Sequence, residues 1–327
     1  MKKHLVLILI SLFNLLNAQD STKVKVIQIF DIKAEIDPRM TRQVKLGFEE
    51  AEKNKADLVI IDMNTYGGMV DDADKIRSMV LNFKKPVFVF INNNAASAGA
   101  LISIACDSIY MTQGANIGAA TVVNGSDGQA MPDKYQSYMR SMMRSTAEAN
   151  KRNPKIAEAM VDPSIEIPGV IEEGKVLTFT TSEAIKNGFC EGEYLTIDEL
   201  IEKKGLKSAV VKRYEQSSTE KIIAFFLNPA ISSILILAII GGIYFELQTP
   251  GIGFALLVAI VAGVLYLVPY YLNGLAQNWE IIILFLGILL IAAEIFVIPG
   301  FGVAGILGGI MVALSLALVM LNNDWFD

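Results

Sequence analysis

Histidine is almost absent from this 327-residue sequence, which contains only His4. His4 lies in residues 1–18, where two lysines, an apolar core of secretory length and a small residue, Ala18, are typical of a cleavable signal peptide. An uncleaved anchor helix is the alternative. A cleaved chain has no imidazole, which excludes Ser–His–Asp triads, Cys–His pairs and histidine-ligated metals. We therefore predict neither a metal nor a cofactor.

Cysteine is also scarce. Cys106 and Cys190 lie among apolar or small residues, which favours two free buried thiols, although a disulfide between them stays open. The net charge is −6, and the Lys and Arg residues are scattered along the first two thirds of the chain. We therefore do not expect nucleic acid to be a partner.

Positive charge ends at Lys221, since the sequence from Ile222 to the C-terminus has no Lys or Arg. This apolar stretch divides at Pro and Gly clusters, and it predicts about four membrane spans near residues 230–246, 252–272, 281–298 and 303–321. Residues 222–228 are an alternative interfacial segment. The predicted organisation is a signal peptide (1–18), a soluble domain (19–221) and a transmembrane helical domain (222–327).

A weak internal repeat occurs in the apolar part. Glu246 precedes LQT-PGIG and Glu294 precedes IFVI-PGFG, each near the end of an apolar run. A carboxylate at that depth is costly unless it is paired or near the interface. We favour a glutamate at a helix end followed by a Pro-Gly breaker, and keep an ion or partner site as the alternative.

The soluble part alternates between strand and helix patterns. Strands are predicted at 24–32, 57–63 and 86–91, separated by helices at 38–55 and 71–83, which indicates an α/β domain with a parallel sheet. The later predictions are an extended segment at 105–112, a loop at 122–132, a helix at 133–154, a strand and a helix within 176–192 with its cap at Thr181 or Ser182, and one further helix within 194–221.

The stretch NNNAASAGA (92–100) follows the third strand and resembles a strand-to-helix turn that carries a nucleophile, Ser97. Helix-end N–H groups favour negative charge, and the small neighbours leave room for a substrate backbone. Gly67 and Gly68, directly after the second strand, offer further N–H groups at the carboxyl end of the sheet. Packing of a tight turn is the alternative reading of Ser97. Without histidine, the base must be Lys, Asp, Glu or the amino terminus.

Four stretches together resemble a known family: NTYGGMVDDADKI, FVFINNNAASAGALISIACDSIYM, IGAATVV and LTFTTSEAIKNGFCEG. In this order and spacing they are similar to the landmarks of the ClpP/crotonase-like fold, and most of all to the NfeD-type membrane-bound serine proteases, which are related to signal peptide peptidase A. The resemblance covers about residues 24–200, and the E…PGxG segments extend it to 327. Two departures are Tyr66, where the family often has Pro, and the end at NNDWFD, before the OB-type barrel of longer members.

The resemblance implies a Ser–Lys dyad. Its serine falls on Ser97, its lysine on Lys134 in PDKYQSYM, and its oxyanion donors on the backbone of Gly68 and Ala98, with Gly67 beside them. Lys134 borders a Tyr/Met stripe, which favours a partly desolvated amine; a solvated helix lysine is the alternative. Lys151 and Lys155 are poorer candidates for the base.

By resemblance, the expected function is a membrane-anchored serine endopeptidase that cleaves apolar segments of membrane proteins, with a stomatin/prohibitin-like partner, contact with membrane lipid and a homo-oligomeric state. A cleaved signal places the protease domain outside the cytoplasm, on a multi-pass protein of the inner membrane. One alternative is a non-catalytic scaffold that organises a membrane complex. Another, a crotonase-type acyl-CoA enzyme, is disfavoured because CoA esters are cytoplasmic.

Overall fold

In the computed structural model, the described residues are 25–125, 127–248, 253–272, 278–296 and 302–320. The predicted signal peptide and His4 lie outside them. The chain divides into two compact units. The first comprises Met1–Ile36 and Val44–Tyr214, and the second comprises Asp37–Gln43 and Glu215–Asp327. The division thus falls seven residues before the boundary expected at 221/222.

The first unit is built on an eight-stranded sheet in which β6, β5, β3, β2, β1 and β8 follow one another, while β4 pairs with both β3 and β7. All described pairings are parallel except β5 with β6. The strands are β1 (Val26–Ile32), β2 (Leu58–Thr65), β3 (Val87–Ala96), β4 (Ser108–Met111), β5 (Asn116–Gly118), β6 (Thr178–Thr180), β7 (Gly192–Glu193) and β8 (Val210–Arg213).

Helices connect these strands and bury their apolar residues. They are α1 (Pro38–Lys53), α2 (Val70–Asn82), α3 (Ala98–Ala105), α4 (Asp133–Ala149), α5 (Pro154–Ala159), α6 (Thr181–Lys186) and α7 (Ile197–Lys203). The central strand β2 is buried along nearly its whole length, as its continuous apolar sequence predicts. The predicted β-α-β-α-β order is therefore present, with the carboxyl ends of β1, β2 and β3 at one edge of the sheet.

The third strand is longer than the sequence predicts. It continues from the apolar run through Asn92–Asn94 and ends at Ala96. The reason lies in distant pairing, because β3 pairs first with β4 and then, over Asn94–Ala96, with β5. The asparagines therefore do not end the strand, and the turn begins only at Ser97.

Three local predictions differ from the structure. The helix expected to reach residue 154 ends at Ala149, and a separate helix, α5, begins at Pro154 behind an Asn153 cap. The cap of α6 is Thr180, whose side chain and that of Glu183 form a reciprocal capping box. Strand β8 was not predicted; its four residues gain their conformation by pairing with β1.

The prediction of two free buried thiols is confirmed, because Cys106 and Cys190 are both buried and unbridged. Burial raises the pKa of the Cys106 thiol well above its ordinary value and that of Cys190 to about 11. Both sulfurs donate to backbone carbonyls, at Ile102 and Gly192 respectively. Unreactive packing thiols are the expected consequence.

The second unit is helical. Its helices are α8 (Ser218–Phe226), α9 (Pro229–Gln248), α10 (Phe254–Leu272), α11 (Asn278–Phe296) and α12 (Val303–Met320). Pro229–Glu246 and Phe254–Leu272 are long and apolar enough to cross a membrane, whereas Trp279–Ile291 and Val303–Leu318 are shorter apolar stretches. Two of the four predicted spans thus meet the criteria of length and composition in the described part of the chain.

Both repeated glutamates are buried and accept hydrogen bonds at the start of the next helix. Glu246 Oε1 accepts from the Gly253 N–H and Oε2 from the Leu256 N–H, each at 3.1 Å. Glu294 Oε1 accepts from the Gly302 N–H. A carboxylate satisfies the orphan N–H groups of a helix N-terminus and interacts favourably with its dipole. The structure therefore supports a glutamate that ties two consecutive helices together.

Candidate active site

Ser97 occupies the single residue between β3 and α3 and has a strained backbone. Its φ of 53° and ψ of −118° lie in a region that residues with a side chain seldom adopt. The N–H of Ser97 donates to the Gly118 carbonyl at 2.9 Å, which holds the turn. Such outliers persist where the surrounding structure fixes them, and a sharp strand-to-helix turn exposes a nucleophilic hydroxyl. The side chain of Ser97 is half-buried.

The Gly67–Gly68 turn lies directly against Ser97. A β-carbon at position 67, where φ is 109°, would lie 2.6 Å from the Ser97 Cβ and 3.0 Å from its Oγ. A β-carbon at position 68 would lie 2.1 Å from the carbonyl oxygen of Ile36. Only glycine fits at either position, because each backbone segment approaches its neighbour where a side chain would stand.

Two backbone donors stand near the Ser97 hydroxyl without an acceptor in the described part of the chain: the N–H groups of Gly68 and Ala98. Ala98 is the first residue of α3, so its N–H has no intrahelical acceptor. The Gly67 N–H, in contrast, donates to Thr65 Oγ1 at 3.1 Å. Gly67 therefore contributes space beside Ser97, and Gly68 and Ala98 are the residues able to contribute donors.

A cavity of about 60 Å³ opens beside Ser97. Apart from Ser97 and Thr121, its lining is apolar or glycine: Gly68, Val70, Ala73, Ala98, Ala120, Val122, Val123 and Met139. A pocket of this size and composition accepts a small apolar group next to the hydroxyl.

Lys134 lies in a larger adjoining cleft of about 770 Å³, which shares Val70 and Val122 with the small cavity. The amine is exposed, 6.0 Å from the centre of the Tyr135 ring, and no hydrogen bond joins it to Ser97. The structure thus brings Ser97, Gly67, Gly68 and Ala98 together, and places Lys134 in the adjoining cleft. Catalytic hydrogen bonds are often long before substrate binds.

The rim of the cleft exposes large apolar and aromatic side chains. Met69, Tyr135 and Tyr138 line it, and Tyr66, 80% exposed, stands at the start of the glycine turn. Asp71 is the one acidic residue of the lining and Lys134 the one basic residue. Exposed apolar surface beside a cavity marks a binding site. The alternative bases Lys151 and Lys155 line neither cavity.

Two residues that position this site were not found from the sequence. Thr65 binds the Gly67 N–H, and the side-chain amide of Gln136, one turn into α4, bonds to the backbone of Val122. A polar residue just before a Gly-Gly turn was a usable signal for Thr65. Nothing in the sequence indicates the partner of Gln136.

The comparison with known proteins covers both units. Residues 24–214 match the N-terminal domain of NfeD1b, and residues 230–326 match the NfeD integral membrane domain. The chain belongs to the NfeD family. The membrane protein NfeD1b of Bacillus subtilis is 33% identical over 303 residues, which cover 91% of this chain and 68% of that protein.

A second relative is the membrane-bound protease PH1510 of Pyrococcus horikoshii. It is 27% identical over 250 residues, which cover 69% of this chain and 54% of the protease. The chain therefore spans about half of that relative and two thirds of NfeD1b. This NfeD protein is thus a homologue of a membrane-bound protease and carries an integral membrane domain.

Solved structures give the fold. A mutant of 1510-N, a membrane-bound stomatin-specific protease, in complex with a substrate peptide has a TM-score of 0.54 at 24% identity, over 62% of this chain and 98% of that chain. A second mutant has a TM-score of 0.52 at 24% identity, over 59% and 99%. The predicted ClpP-like α/β domain followed by a region of apolar helices is confirmed.

Proposed function

We propose that this NfeD protein is a membrane-anchored serine endopeptidase with a Ser–Lys dyad. Ser97 Oγ attacks the carbonyl carbon of a peptide bond, and its proton passes to the neutral amine of Lys134. The resulting ammonium then protonates the leaving amine as the C–N bond breaks. Water hydrolyses the acyl-enzyme, with Lys134 again taking and returning the proton.

The observation that carries this proposal is the strained backbone of Ser97 between two free backbone donors. A positive φ is costly for a residue with a side chain and persists where the surrounding structure imposes it. It directs the hydroxyl towards the cavity that Gly68 and Ala98 also line. Donors fixed in advance at a developing oxyanion are often the largest contribution to catalysis of acyl transfer.

Lys134 is the proposed base because the cleft that it lines shares a wall with the Ser97 cavity. Its amine has no hydrogen bond or ion pair among the described residues. No such interaction therefore has to break before the amine turns towards Ser97. A lysine used in this way must be neutral, and a bound apolar substrate that excludes water favours the neutral amine.

The proposed substrate is an apolar segment of a membrane-associated protein. The small cavity is apolar, and the rim adds exposed aromatic rings and Met69. The name of the relative 1510-N, a protease specific for a stomatin homologue, supports a stomatin-like partner. The proposal includes a homo-oligomer in the inner membrane, four spans and an extracytoplasmic protease domain, with residues 1–18 cleaved as a signal peptide.

The test is labelling of the full chain, in lipid nanodiscs, with a fluorescent alkyl fluorophosphonate. Ser97→Ala and Lys134→Ala are the matched variants. We expect labelling of wild type only, with the adduct mapped to Ser97 by mass spectrometry. Lys134→Arg should also fail, since a guanidinium does not deprotonate. Labelling that persists in Ser97→Ala would refute Ser97 as the nucleophile. Absence of labelling from wild type, even with a stomatin-like protein added, would support the scaffold alternative.

A further inference from the structure

We infer that Thr65 is the positioning residue of the oxyanion site: its buried hydroxyl fixes the Gly67–Gly68 turn against Ser97. This inference rests on the proposed function. Thr65 is the last residue of β2 and is only 2% exposed. It touches neither the cavity beside Ser97 nor the cleft of Lys134, so any effect on catalysis must pass through the turn or through the helix that follows Ser97.

The hydroxyl of Thr65 links two backbone segments. Its Oγ1 donates to the Ala34 carbonyl at 2.7 Å and accepts from the Gly67 N–H at 3.1 Å. The bond from the Gly67 N–H is buried, whereas Ala34 is exposed and its carbonyl can bind water in place of the hydroxyl. Loss of the hydroxyl leaves the buried Gly67 N–H unsatisfied, which makes the present orientation of the turn unfavourable.

The turn has only two other backbone bonds to the segment that follows β1. The Ile36 N–H donates to the Gly67 carbonyl at 2.9 Å, and the Met69 N–H donates to the Ile36 carbonyl at 2.7 Å. The turn is thus held to this segment by two backbone hydrogen bonds and by the Thr65 hydroxyl. With the Gly67 N–H and carbonyl both engaged, the peptide plane on each side of Gly67 is fixed, and the Gly68 N–H remains free beside Ser97.

The methyl group of Thr65 supports the nucleophile from the other side. A β-carbon on Gly99 would lie 2.7 Å from Thr65 Cγ2, so the first turn of α3 packs directly on this side chain. Thr65 also pairs with Ala95 of β3. One side chain therefore contacts both halves of the site: the hydroxyl holds the turn with the donor, and the methyl group packs against the helix that follows Ser97.

Donor geometry matters most in the transition state, where negative charge develops on the substrate oxygen. A displacement that leaves substrate binding intact can therefore still lower the rate of acylation. Removal of the Thr65 hydroxyl should lower the maximal rate of reaction and leave the affinity of the first complex unchanged. A role confined to stability would change neither of these two kinetic constants.

The experiment measures the inactivation of the full chain in nanodiscs by the alkyl fluorophosphonate, which separates the maximal rate, kinact, from the affinity, KI. For Thr65→Val, which keeps the shape and loses the hydroxyl, we expect kinact to fall about 10- to 100-fold. KI should stay within about twofold, because the ground state uses the donor little. Thr181→Val is the matched control: Thr181 is also buried, donates to the Thr112 carbonyl at 2.6 Å and lies outside the site.

The pair Thr65→Ser and Thr65→Ala keeps the test decisive if Thr65→Val does not fold, because these variants differ only in the hydroxyl. We expect Thr65→Ser to retain kinact within about threefold of the wild-type value. In Thr65→Ala, kinact should fall about as much as in Thr65→Val. The inference is overturned if kinact in Thr65→Val is undiminished, if Thr181→Val loses as much, or if the Ser and Ala variants are equal. Wild-type protein that is not labelled at Ser97 would instead refute the proposed function.

Discussion

The side-chain amide of Gln136 makes two hydrogen bonds to the backbone of Val122. Its Oε1 accepts from the Val122 N–H at 3.0 Å, and its Nε2 donates to the Val122 carbonyl at 2.7 Å. Val122 forms part of the wall between the cavity of Ser97 and the cleft of Lys134, while Gln136 lies two residues after Lys134 in α4. This side-chain amide therefore links the wall of the Ser97 cavity to the helix that carries Lys134.

Replacing Gln136 with Met, which has a similar shape but no amide, should loosen the first turn of α4 against this wall. We expect the rate of fluorophosphonate labelling to fall about 10-fold, because the base then samples more positions. Gln113→Met is the control, since Gln113 is exposed in the turn after β4. Equal labelling of the two variants would show that Gln136 does not set the position of Lys134.

A side chain at position 67 should block the site. Gly67→Ala places a methyl group 2.6 Å from the Ser97 Cβ at a φ of 109°, so either the turn or the serine must move. We expect the rate of fluorophosphonate labelling to fall at least about 100-fold, because the backbone donor and the Ser97 hydroxyl are then no longer aligned. Gly114→Ala is the control, because Gly114 also has a positive φ, 81°, but a β-carbon there meets nothing within 4 Å. It should cost stability alone, as measured by thermal unfolding.

Much of the sheet domain can be predicted from local sequence pattern. The continuous apolar runs of β2 and the first part of β3 are typical of buried parallel strands, and the structure has both. What local pattern cannot show is a conformation created by a distant partner. Asn92–Asn94 are extended because the end of β3 pairs with β5. Strand β8 forms because it pairs with β1.

The same limit applies to the candidate site. Small residues around Ser97 and glycines at 67 and 68 are visible in the sequence, since close approach requires them. The bond that occupies the Gly67 N–H is not visible, because it depends on the rotamer of Thr65 and on Ala34 coming close. The position of Lys134 is likewise decided by tertiary contacts of α4, which leave it in the cleft that adjoins the Ser97 cavity.

The ion pair of Lys33 and Asp62 should stabilise the sheet domain. Asp62 is 5% exposed, and one of its oxygens accepts from Lys33 Nζ at 2.6 Å. Lys33→Met leaves a buried carboxylate with only the more distant Arg213, 3.9 Å away. We expect a loss of about 1–2 kcal/mol, reduced from the value for a fully buried pair because Lys33 is partly exposed. Hydrogen exchange of β1 and β2 gives the measurement.

This stabilisation has a definite pH dependence. Partial burial opposes the charged amine of Lys33, but the hydrogen bonds and charges of Asp62 and Asp31 outweigh it and raise the pKa. A raised folded-state pKa means that the stabilisation is complete below the ordinary lysine value and is lost as pH rises through the higher one. As the pH rises, the difference between wild type and Lys33→Met should thus shrink at strongly alkaline values. Lys53→Met, which breaks an exposed pair with Glu50, should have a small effect throughout.

The two repeated glutamates should respond differently to the same substitution. Both carboxylate oxygens of Glu246 accept hydrogen bonds, from the N–H groups of Gly253 and Leu256. In Glu294, Oε1 accepts from the Gly302 N–H, and the buried Oε2 has no partner among the described residues. Glu246→Gln loses one acceptor and turns an NH2 group towards an N–H. Glu294→Gln keeps its one bond and removes the charge from an unsatisfied oxygen.

We therefore expect Glu246→Gln to lower the unfolding temperature in nanodiscs and Glu294→Gln to leave it unchanged or raise it. The leucine variants at both positions should lower it, since neither can cap the following helix, at a cost of about 1–2 kcal/mol each. Equal effects of the two glutamine variants would mean that the carboxylates act through their charge rather than through the number of N–H groups they accept. An ion site, the alternative kept from the sequence, predicts that both glutamine variants fail alike, because an amide binds a cation more weakly than a carboxylate does.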